Sequence, residues 1–385
     1  MKKIKWVNFL HIYQPPWQRP EVTAKVHDES YRFLIDVLKR FPDFRVTINI
    51  AGTLLDQFEA LGYTAIVRDL ARLVARGQIE LTGSAYSHAF LPPLPEKEII
   101  HQIQLQEKIL KKNFQGVKPA GFFIPEMAYT HQLGGIIKKL GYRWLILDPR
   151  SSKLPPQPEK KYLDRRTGLT IVFRNRKFSR SYPPEAIHTA LKKNSCPDYI
   201  ITATDGELYG HFHKDWQEHL IRVLRSKHVE TVQISEYIQG LHEASPIYLQ
   251  QASWETRRRQ LKHNNAFSIW YNSSNPIHKK LWHLAHFAIA AVDEHAGDPN
   301  HSWARWHLDR GLASCSWWWA SEIKTSAFAS IGWSPDEIEH GATELIKSVR
   351  SIEKLSAREK IRGEKMYSDL MQDVWEKHWK IYGHA

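Results

Sequence analysis

The chain has 385 residues and a mass of 45.0 kDa, and 42% of its residues are hydrophobic, which suits one large α/β domain with a smaller appendage. Its net charge is +13, but Lys and Arg are scattered and accompany no recognition motif, so we do not expect nucleic acid as a partner. Two cysteines, Cys196 and Cys315, cannot form a disulfide framework and lack metal spacing. With no apolar run of about 18 residues and no export signal, we expect a cytoplasmic protein with no membrane partner.

Tryptophan is the most unusual feature of the composition. The sequence has 15 tryptophans, several times the usual share. Indole faces are good platforms for stacking on sugar rings, although many of these side chains will be part of the core. The composition therefore favours a carbohydrate ligand.

Strand and helix signals alternate through the first two thirds of the chain. Predicted strands cover residues 5–10, 45–50, 78–83, 121–124, 143–147, 168–174, 200–204 and 230–234. Predicted helices between them cover residues 29–40, 53–61, 65–75, 95–113, 133–140, 184–193 and 216–226. This order predicts a parallel sheet with helical crossovers, and about seven strands favour a closed or nearly closed barrel over an open sheet.

The pattern changes beyond residue 241. Long helices are predicted over residues 276–295, 303–320, 335–355 and 357–381, whereas residues 151–159 form a Pro-rich, linker-like loop. We therefore predict a catalytic barrel in residues 1–240. Residues 241–385 are predicted to form a helical region that completes the substrate groove.

Four polar residues are expected at the C-terminal ends of strands, where a barrel brings side chains onto one face. They are His11, His88, Glu126 and Asp205, the last followed by Gly206, which allows a sharp turn. Two carboxylates at one rim suit cleavage of a glycosidic bond. In the retaining form of that reaction one carboxylate attacks the sugar and the other protonates the leaving oxygen, about 5 to 5.5 Å away.

Five stretches of the chain, in order, carry a family resemblance. They are His-Ile-Tyr-Gln-Pro at residues 11–15, the region from residue 78 to residue 92, Ile-Pro-Glu-Met-Ala-Tyr at 124–129, Asp-Gly-Glu-Leu-Tyr-Gly-His at 205–211 and Ser-Cys-Ser-Trp-Trp-Trp at 314–319. Together they resemble glycoside hydrolase family 57. That resemblance implies an incomplete (β/α)7 barrel followed by a C-terminal helical region.

The resemblance also implies a reaction and a set of site residues. It makes the chain similar to retaining enzymes that act on α-glucans or maltooligosaccharides, with α-amylase-like cleavage of α-1,4 linkages and no metal or other cofactor. It assigns the nucleophile to Glu126 and the acid/base to Asp205. The substrate-binding residues it implies are His11, Gln14, His88, Glu207, His211, Trp254, Trp270, Trp317 and Trp318.

Two positions depart from the family pattern and leave other functions open. Tyr13 replaces the second histidine of the first stretch, and Ser316 stands where many members have Asp. A non-catalytic glucan-binding homologue is therefore one alternative. Within the enzyme class, a 4-α-glucanotransferase or branching enzyme is another, because only the group that intercepts the glycosyl-enzyme differs.

Histidines and an aspartate near the predicted rim also allow a metal site. A metal-dependent deacetylase or α-mannosidase on a related barrel would use such ligands. The candidate ligands are His11, His88, Asp205, His211 and His213. Neither a His-x-His-x-Asp nor a paired-Asp metal motif is present, which disfavours this alternative. The sequence does not indicate an oligomeric state.

Overall fold

The computed structural model describes residues 3–193, 196–324 and 330–382, which form two compact units. The barrel unit takes in Met1–Gln14, Gln18–Ala85 and Ile103–Trp254. The helical unit takes in Pro15–Trp17, Tyr86–Gln102 and Glu255–Ala385. Each unit therefore combines segments that are distant in sequence.

The strands and helices of the described residues have the following bounds. The strands are β1 (Ile4–Ile12), β2 (Val46–Ile50), β3 (Ile79–Leu81), β4 (Gly121–Phe122), β5 (Trp144–Leu147), β6 (Lys161–Asp164), β7 (Thr170–Phe173), β8 (Tyr199–Asp205), β9 (Val229–Val232) and β10 (Ala244–Ile247). The helices are α1 (Pro20–Val26), α2 (Arg32–Arg40), α3 (Gly52–Ala60), α4 (Thr64–Ala75), α5 (Glu96–Asn113), α6 (His131–Lys139), α7 (Arg176–Ser179), α8 (Pro183–Lys192), α9 (His219–Leu224), α10 (Ile234–Gln239), α11 (Arg258–Lys262), α12 (Pro276–Glu294), α13 (His301–Gly311), α14 (Cys315–Trp318), α15 (Pro335–Ser351) and α16 (Ala357–Tyr382). A π-helical turn, His27–Tyr31, joins α1 to α2.

Seven of the described strands form the barrel. One sheet has the order β3-β2-β1-β8, with β9 beside the first half of β1, and the other has the order β10-β6-β7-β5-β4. The sheets meet where Gly83 bridges Phe122 in parallel and where Asn175 N donates to Ile201 O at 2.6 Å. The ring is therefore β1-β2-β3-β4-β5-β7-β8, and its strands are parallel. The predicted (β/α)7 barrel with a helical region is confirmed.

Strand β1 shows why the strands read as continuous apolar runs. Trp6 and Leu10 belong to a cluster between the barrel and its surrounding helices, whereas Val7 and Phe9 belong to the cluster inside the barrel. A parallel strand that is covered on both faces needs apolar side chains on both. By the same alternation the next odd residue, His11, faces the barrel interior.

Two short strands were absent from the sequence prediction. Strand β6 follows the Pro-rich loop and pairs antiparallel with β7, and β10 pairs parallel with β6. This pairing keeps the chain in the barrel unit as far as Trp254, whereas the sequence prediction divided the chain at residue 240.

In the helical unit, α13 packs on α15, and α12 packs on α15 and α16. The single helix predicted over residues 303–320 is wrong, because α13 ends at Gly311 and α14 begins at Cys315. The chain leaves the helix here because Ala313 pairs with Ala89 and Ser314 N donates to His88 O at 3.2 Å. In the described ranges, none of the helices combines the length and hydrophobicity needed to cross a membrane.

Candidate active site

Two neighbouring strands bring His11 and Asp205 together. They are Cα partners in the parallel pairing of β1 with β8. Val7, Phe9 and Ile201, which precede them at alternate positions, pack together inside the barrel. His11 and the half-buried Asp205 therefore lie on the interior face, at the C-terminal end of the barrel.

Glu126 lies in a strained turn immediately after β4. Its φ is 61° and that of Met127 is 50°, both in the left-handed region that side chains other than glycine rarely adopt. The turn is closed by hydrogen bonds from Met127 N to Ile124 O (2.7 Å) and from Ala128 N to Pro125 O (3.1 Å). Such backbone strain costs about 1–3 kcal/mol and is common at active sites. The Glu126 side chain is only 8% exposed.

Trp254 links Glu126 to His11. Its indole Nε1 donates to Glu126 Oε2 at 2.8 Å, and its backbone N donates to Glu126 O at 3.0 Å. The Trp254 ring lies 6.2 Å from the His11 ring and 5.9 Å from that of Phe123. Trp254 therefore contacts Glu126 and lies next to His11, the Cα partner of Asp205.

A second strand-end residue, Asn49, orients the imidazole of His11. The two are Cα partners in the pairing of β1 with β2, and His11 Nδ1 lies 2.8 Å from Asn49 Oδ1. Because an amide oxygen only accepts, Nδ1 carries the proton in this contact. The Tyr13 ring stacks on His11 with centroids 5.8 Å apart, so the imidazole has one fixed orientation.

A buried ion-pair cluster holds the backbone carbonyl of Trp254. Asp148 accepts from Arg174 Nε and from Arg176 Nη1, both at 2.8 Å. The two guanidinium groups also donate to Trp254 O at 3.0 and 3.1 Å, and Arg174 donates to Ala203 O at 3.1 Å. Asp148 is fully buried and Arg174 is 5% exposed. This cluster fixes the backbone of the residue that holds Glu126.

The chain turns sharply after Asp205, and two glycines allow it. A Cβ on Gly206 would lie 2.8 Å from Ile12 Cγ1, and Gly210 has a φ of 98° and would place a Cβ 2.1 Å from Glu29 O. Side chains at these positions would collide with the neighbouring backbone or strand. The resulting turn places Glu207 within hydrogen-bonding distance of Tyr13 and Gln14, which follow β1.

Glu207 is a buried acid held by the start of the chain. Tyr31 donates its hydroxyl to Glu207 Oε1, which also accepts from Tyr13 N at 3.1 Å and from Gln14 Nε2 at 3.5 Å. Burial raises the pKa of Glu207 to about 7, against the lowering effect of these hydrogen bonds. The structure therefore brings Gln14 and Glu207 together, and their role in binding substrate stays a prediction.

This raised pKa makes the stability of the fold depend on pH. A carboxyl whose pKa is about 7 when folded and 4.5 when unfolded stabilises the fold below about pH 4.5 and loses that contribution as pH rises through 7. Glu207→Gln does not titrate, so its free energy of unfolding relative to wild type should increase by about 3 kcal/mol between pH 4.5 and pH 8. Urea unfolding across this range measures the difference.

A second variant tests the cause of that dependence. Tyr31→Phe removes a hydrogen bond that lowers the pKa of Glu207, so the loss of stability should move to higher pH. A difference between Glu207→Gln and wild type that stays constant from pH 4.5 to pH 8 would contradict the assignment.

His211 pairs with the side chain of Glu29. Its Nδ1 is 2.6 Å from Glu29 Oε2, and Lys214 Nζ is 2.9 Å from Glu29 Oε1. Hydrogen bonds from Lys214 and then His211 lower the pKa of Glu29. The neighbouring His213 instead stacks on Tyr182, with ring centroids 4.1 Å apart.

The histidines and aspartate considered as metal ligands do not form a compact ligand group within the described ranges. The group of three that does lie close enough, with ligand atoms within 4.8 Å of one another, is Glu98, His101 and Asp309 of the helical unit. Arg305 lies 2.7 Å from Glu98 and 2.9 Å from Asp309, and Gln102 donates to Asp309 at 3.0 Å. A guanidinium thus already neutralises these carboxylates.

His88 lies in the helical unit and also has left-handed backbone, with a φ of 57°. It is 3% exposed, and its carbonyl accepts from Ser314 N. Like Glu126, it is a predicted site residue at a strained position. Its binding role stays a prediction.

Three of the four tryptophans predicted to bind substrate lie in the helical unit, in two environments. Trp270 and Trp317 are fully buried: Trp282 donates to Trp270 O at 2.9 Å and stacks on Trp317 at 4.2 Å. Trp318 is half-buried and makes an edge contact with Trp319 at 4.7 Å. Stacking on a sugar stays a prediction for all three, but the first two are packed as core residues.

Ser316 and Tyr13, the two residues that depart from the family pattern, both make defined contacts in the structure. Ser316 is buried, and its hydroxyl donates to Glu337 O at 3.3 Å. A Cβ on Gly341 would lie 1.9 Å from Ser316 Oγ, so this position leaves little space for a larger side chain. Tyr13 contributes its backbone N to Glu207 and its ring to His11.

Sequence reasoning missed several residues of this site. Asn49 is the penultimate residue of a correctly predicted strand, so a search that included the last residues of each strand could have found it. Tyr31 falls within a predicted helix, and Asp148 and Arg174 flank strands without a motif. No pattern in the sequence pointed to these three.

The family described as glycosyl hydrolase family 57 matches residues 5–250. The chain belongs to glycosyl hydrolase family 57. The matched range contains His11, Glu126, Asp205 and Glu207 and ends just before Trp254. The predicted family is confirmed.

Relatives in glycosyl hydrolase family 57 carry several names. A putative alpha-amylase of Methanocaldococcus jannaschii is 26% identical over 272 residues, which cover 63% of this chain and 57% of that protein. A 4-alpha-glucanotransferase of Thermococcus litoralis is 23% identical over 150 residues, covering 38% of this chain and 22% of that protein. The match spans less than two thirds of either relative.

A solved structure of the same family has a similar fold. The GH57-type branching enzyme of Pyrococcus horikoshii superposes with a TM-score of 0.73 at 16% identity. The superposition covers 98% of this chain and 94% of that one. At this identity the likeness establishes the fold alone.

Proposed function

We propose that the chain is a retaining enzyme that cleaves α-1,4 linkages of α-glucans, with Glu126 as nucleophile and Asp205 as acid/base. One arrangement carries this proposal. Asp205 pairs with His11 across two strands, and His11 lies beside Trp254, whose indole holds Glu126. This chain of neighbours, from Asp205 through His11 and Trp254 to Glu126, supports placing the two carboxylates in one site. Family membership supports the same reaction.

The reaction proceeds in two displacements. A carboxylate oxygen of Glu126 attacks the anomeric carbon while the carboxylic acid of Asp205 gives its proton to the glycosidic oxygen, and the leaving sugar departs. The carboxylate of Asp205 then takes a proton from water, whose oxygen displaces Glu126 from the anomeric carbon. Two inversions leave the product with the α configuration of the substrate.

The configuration of the product provides the test. Proton NMR during hydrolysis of maltotetraose should show the α-anomer of the new reducing end first, followed by slow mutarotation. The rate should be the same after exhaustive dialysis against EDTA. First formation of the β-anomer would exclude the double displacement, and activity that returns only with added metal would favour the deacetylase or mannosidase alternative.

Transfer to a sugar acceptor is the second candidate. It is supported by the relative named 4-alpha-glucanotransferase and by the likeness to a solved branching enzyme. Chromatography of the products from maltooligosaccharides, with and without added glucose, separates the two. Longer saccharides that accumulate only with the acceptor indicate transfer, whereas short products alone indicate hydrolysis.

Trp254 is proposed to orient the nucleophile. Trp254→Phe keeps the ring but removes the hydrogen bond to Glu126, and we expect kcat to fall about 10- to 100-fold, the value of a hydrogen bond to a charged group. Trp144→Phe is the matched control, because its indole donates to Ser235 Oγ at 3.1 Å in the same unit. Steady-state kinetics and melting temperatures of both variants measure the effects. Equal losses of kcat would contradict a positioning role for Trp254.

The substrate and the cellular location of the enzyme are also proposals. An α-glucan or maltooligosaccharide is the proposed partner. A cytoplasmic location is proposed because neither Cys196 nor Cys315 forms a disulfide, which suits a reducing compartment.

A further inference from the structure

A cavity opens in the barrel unit, at the seam between β7 and β8. It has a volume of about 300 Å³ and is lined by residues of both strands, by the Pro-rich loop and by Tyr237 of α10. The two strands belong to different sheets and are joined beyond the end of β7, where Asn175 N donates to Ile201 O. The unpaired part of the seam leaves this space open.

The charge of the cavity wall is positive. The lining residues, all in the described part of the chain, include four basic side chains and no acidic one. Arg174 and Arg176 are bound to Asp148. Lys160 and Lys177 are exposed, and neither has an ion-pair partner among the described residues. Two cationic groups are therefore available to a ligand.

The remaining wall is aromatic and held in place. Tyr162 packs edge-on against Phe173, and Tyr199 against Tyr237, each with ring centroids 5.5 Å apart. Tyr237 donates its hydroxyl to Pro158 O, and the Tyr162 hydroxyl accepts from the backbone of the same loop. Fixed aromatic rings beside a few polar groups are typical of small-molecule sites.

We propose that this cavity binds a small phosphorylated sugar. Its volume is at the lower end of the range for ligand sites, which suits one sugar ring rather than a nucleotide. Lys160 and Lys177 would neutralise the phosphate, and the tyrosine rings would cover the apolar face of the sugar. Inorganic phosphate would leave the rings unused, and a neutral sugar would leave the lysines unused.

Calorimetric titration of the full chain with glucose 6-phosphate tests this site. We expect one binding site and an affinity about tenfold or more below wild type in Lys160→Gln/Lys177→Gln. Tyr199→Leu should also weaken binding while keeping both lysines. Lys193→Gln/Lys227→Gln, which removes two exposed lysines elsewhere in the same unit, is the matched control and should bind like wild type.

Several outcomes would overturn the proposal. They are an absence of saturable binding, equal weakening in both lysine pairs, and binding of glucose or of inorganic phosphate as tight as that of glucose 6-phosphate. Displacement by saturating maltotetraose would place the sugar phosphate in the candidate active site instead. The binding measurements alone decide this proposal. Their outcome does not affect the proposed reaction.

Discussion

Replacing Glu126 by glutamine should slow the cleavage of maltooligosaccharides by at least about 10⁴-fold, with little change in the melting temperature. The amide keeps the shape of the side chain and its contact with Trp254 but cannot form the glycosyl-enzyme. Glu218→Gln is the matched control, because Glu218 is an exposed glutamate of the same unit with a similar φ of 52°. It should retain full activity.

Asp205→Asn should behave differently from Glu126→Gln because it affects proton transfer. Removing a general acid/base costs about 10²–10⁴-fold on natural linkages. An aryl glycoside with a good leaving group needs little protonation, so its first step should be nearly unaffected. Burst kinetics with p-nitrophenyl maltoside would then reveal an accumulating intermediate.

Azide separates the two roles by the configuration of its product. With Asp205→Asn, azide attacks the glycosyl-enzyme without a base and should give the α-glycosyl azide. With Glu126→Ala, azide takes the vacated position and should give the β-glycosyl azide. Two variants that both turn over like wild type, or the reverse pairing of products, would refute the assignment.

Much of the barrel could be predicted from the sequence because burial on both faces leaves a clear signal. The run from Ile200 to Thr204 is apolar or β-branched throughout, and in the structure both of its faces are covered. Strands β6 and β10 lack this signal because both are short and largely half-buried or exposed. Their pairing depends on tertiary contacts that no local pattern encodes.

Without the family resemblance, candidate site residues were predictable only at strand ends. His11 and Asp205 follow apolar runs directly, so topology alone brings them together. Asp148 and Arg174 also follow strands, but nothing local shows that they bind each other or that Arg174 binds the backbone of Trp254. These contacts, between residues 26 and 80 positions apart, become visible only in the folded chain.

The strained turn at Glu126 is a local conflict that the rest of the unit resolves. A left-handed glutamate is unfavourable in isolation. Hydrogen bonds from Trp254 to both the carbonyl and the carboxylate of Glu126 stabilise this conformation. The strained conformation of Glu126 is therefore maintained by Trp254. The position of Trp254 is maintained in turn by the hydrogen bonds from Arg174 and Arg176 to its carbonyl.

Removing the charge of Asp148 should be among the most destabilising single changes in the barrel unit. Asp148→Asn leaves the guanidinium groups of Arg174 and Arg176 without a buried counter-charge, which typically costs about 3–5 kcal/mol of unfolding free energy. Asp69→Asn is the control: it loses partly exposed ion pairs and should cost about 1 kcal/mol or less. Urea unfolding measures both.

Adding Arg174→Met to Asp148→Asn removes one unpaired charge, so the double variant should lose less than the sum of the single losses. A loss in Asp148→Asn no larger than in Asp69→Asn would contradict the stabilising role of the cluster.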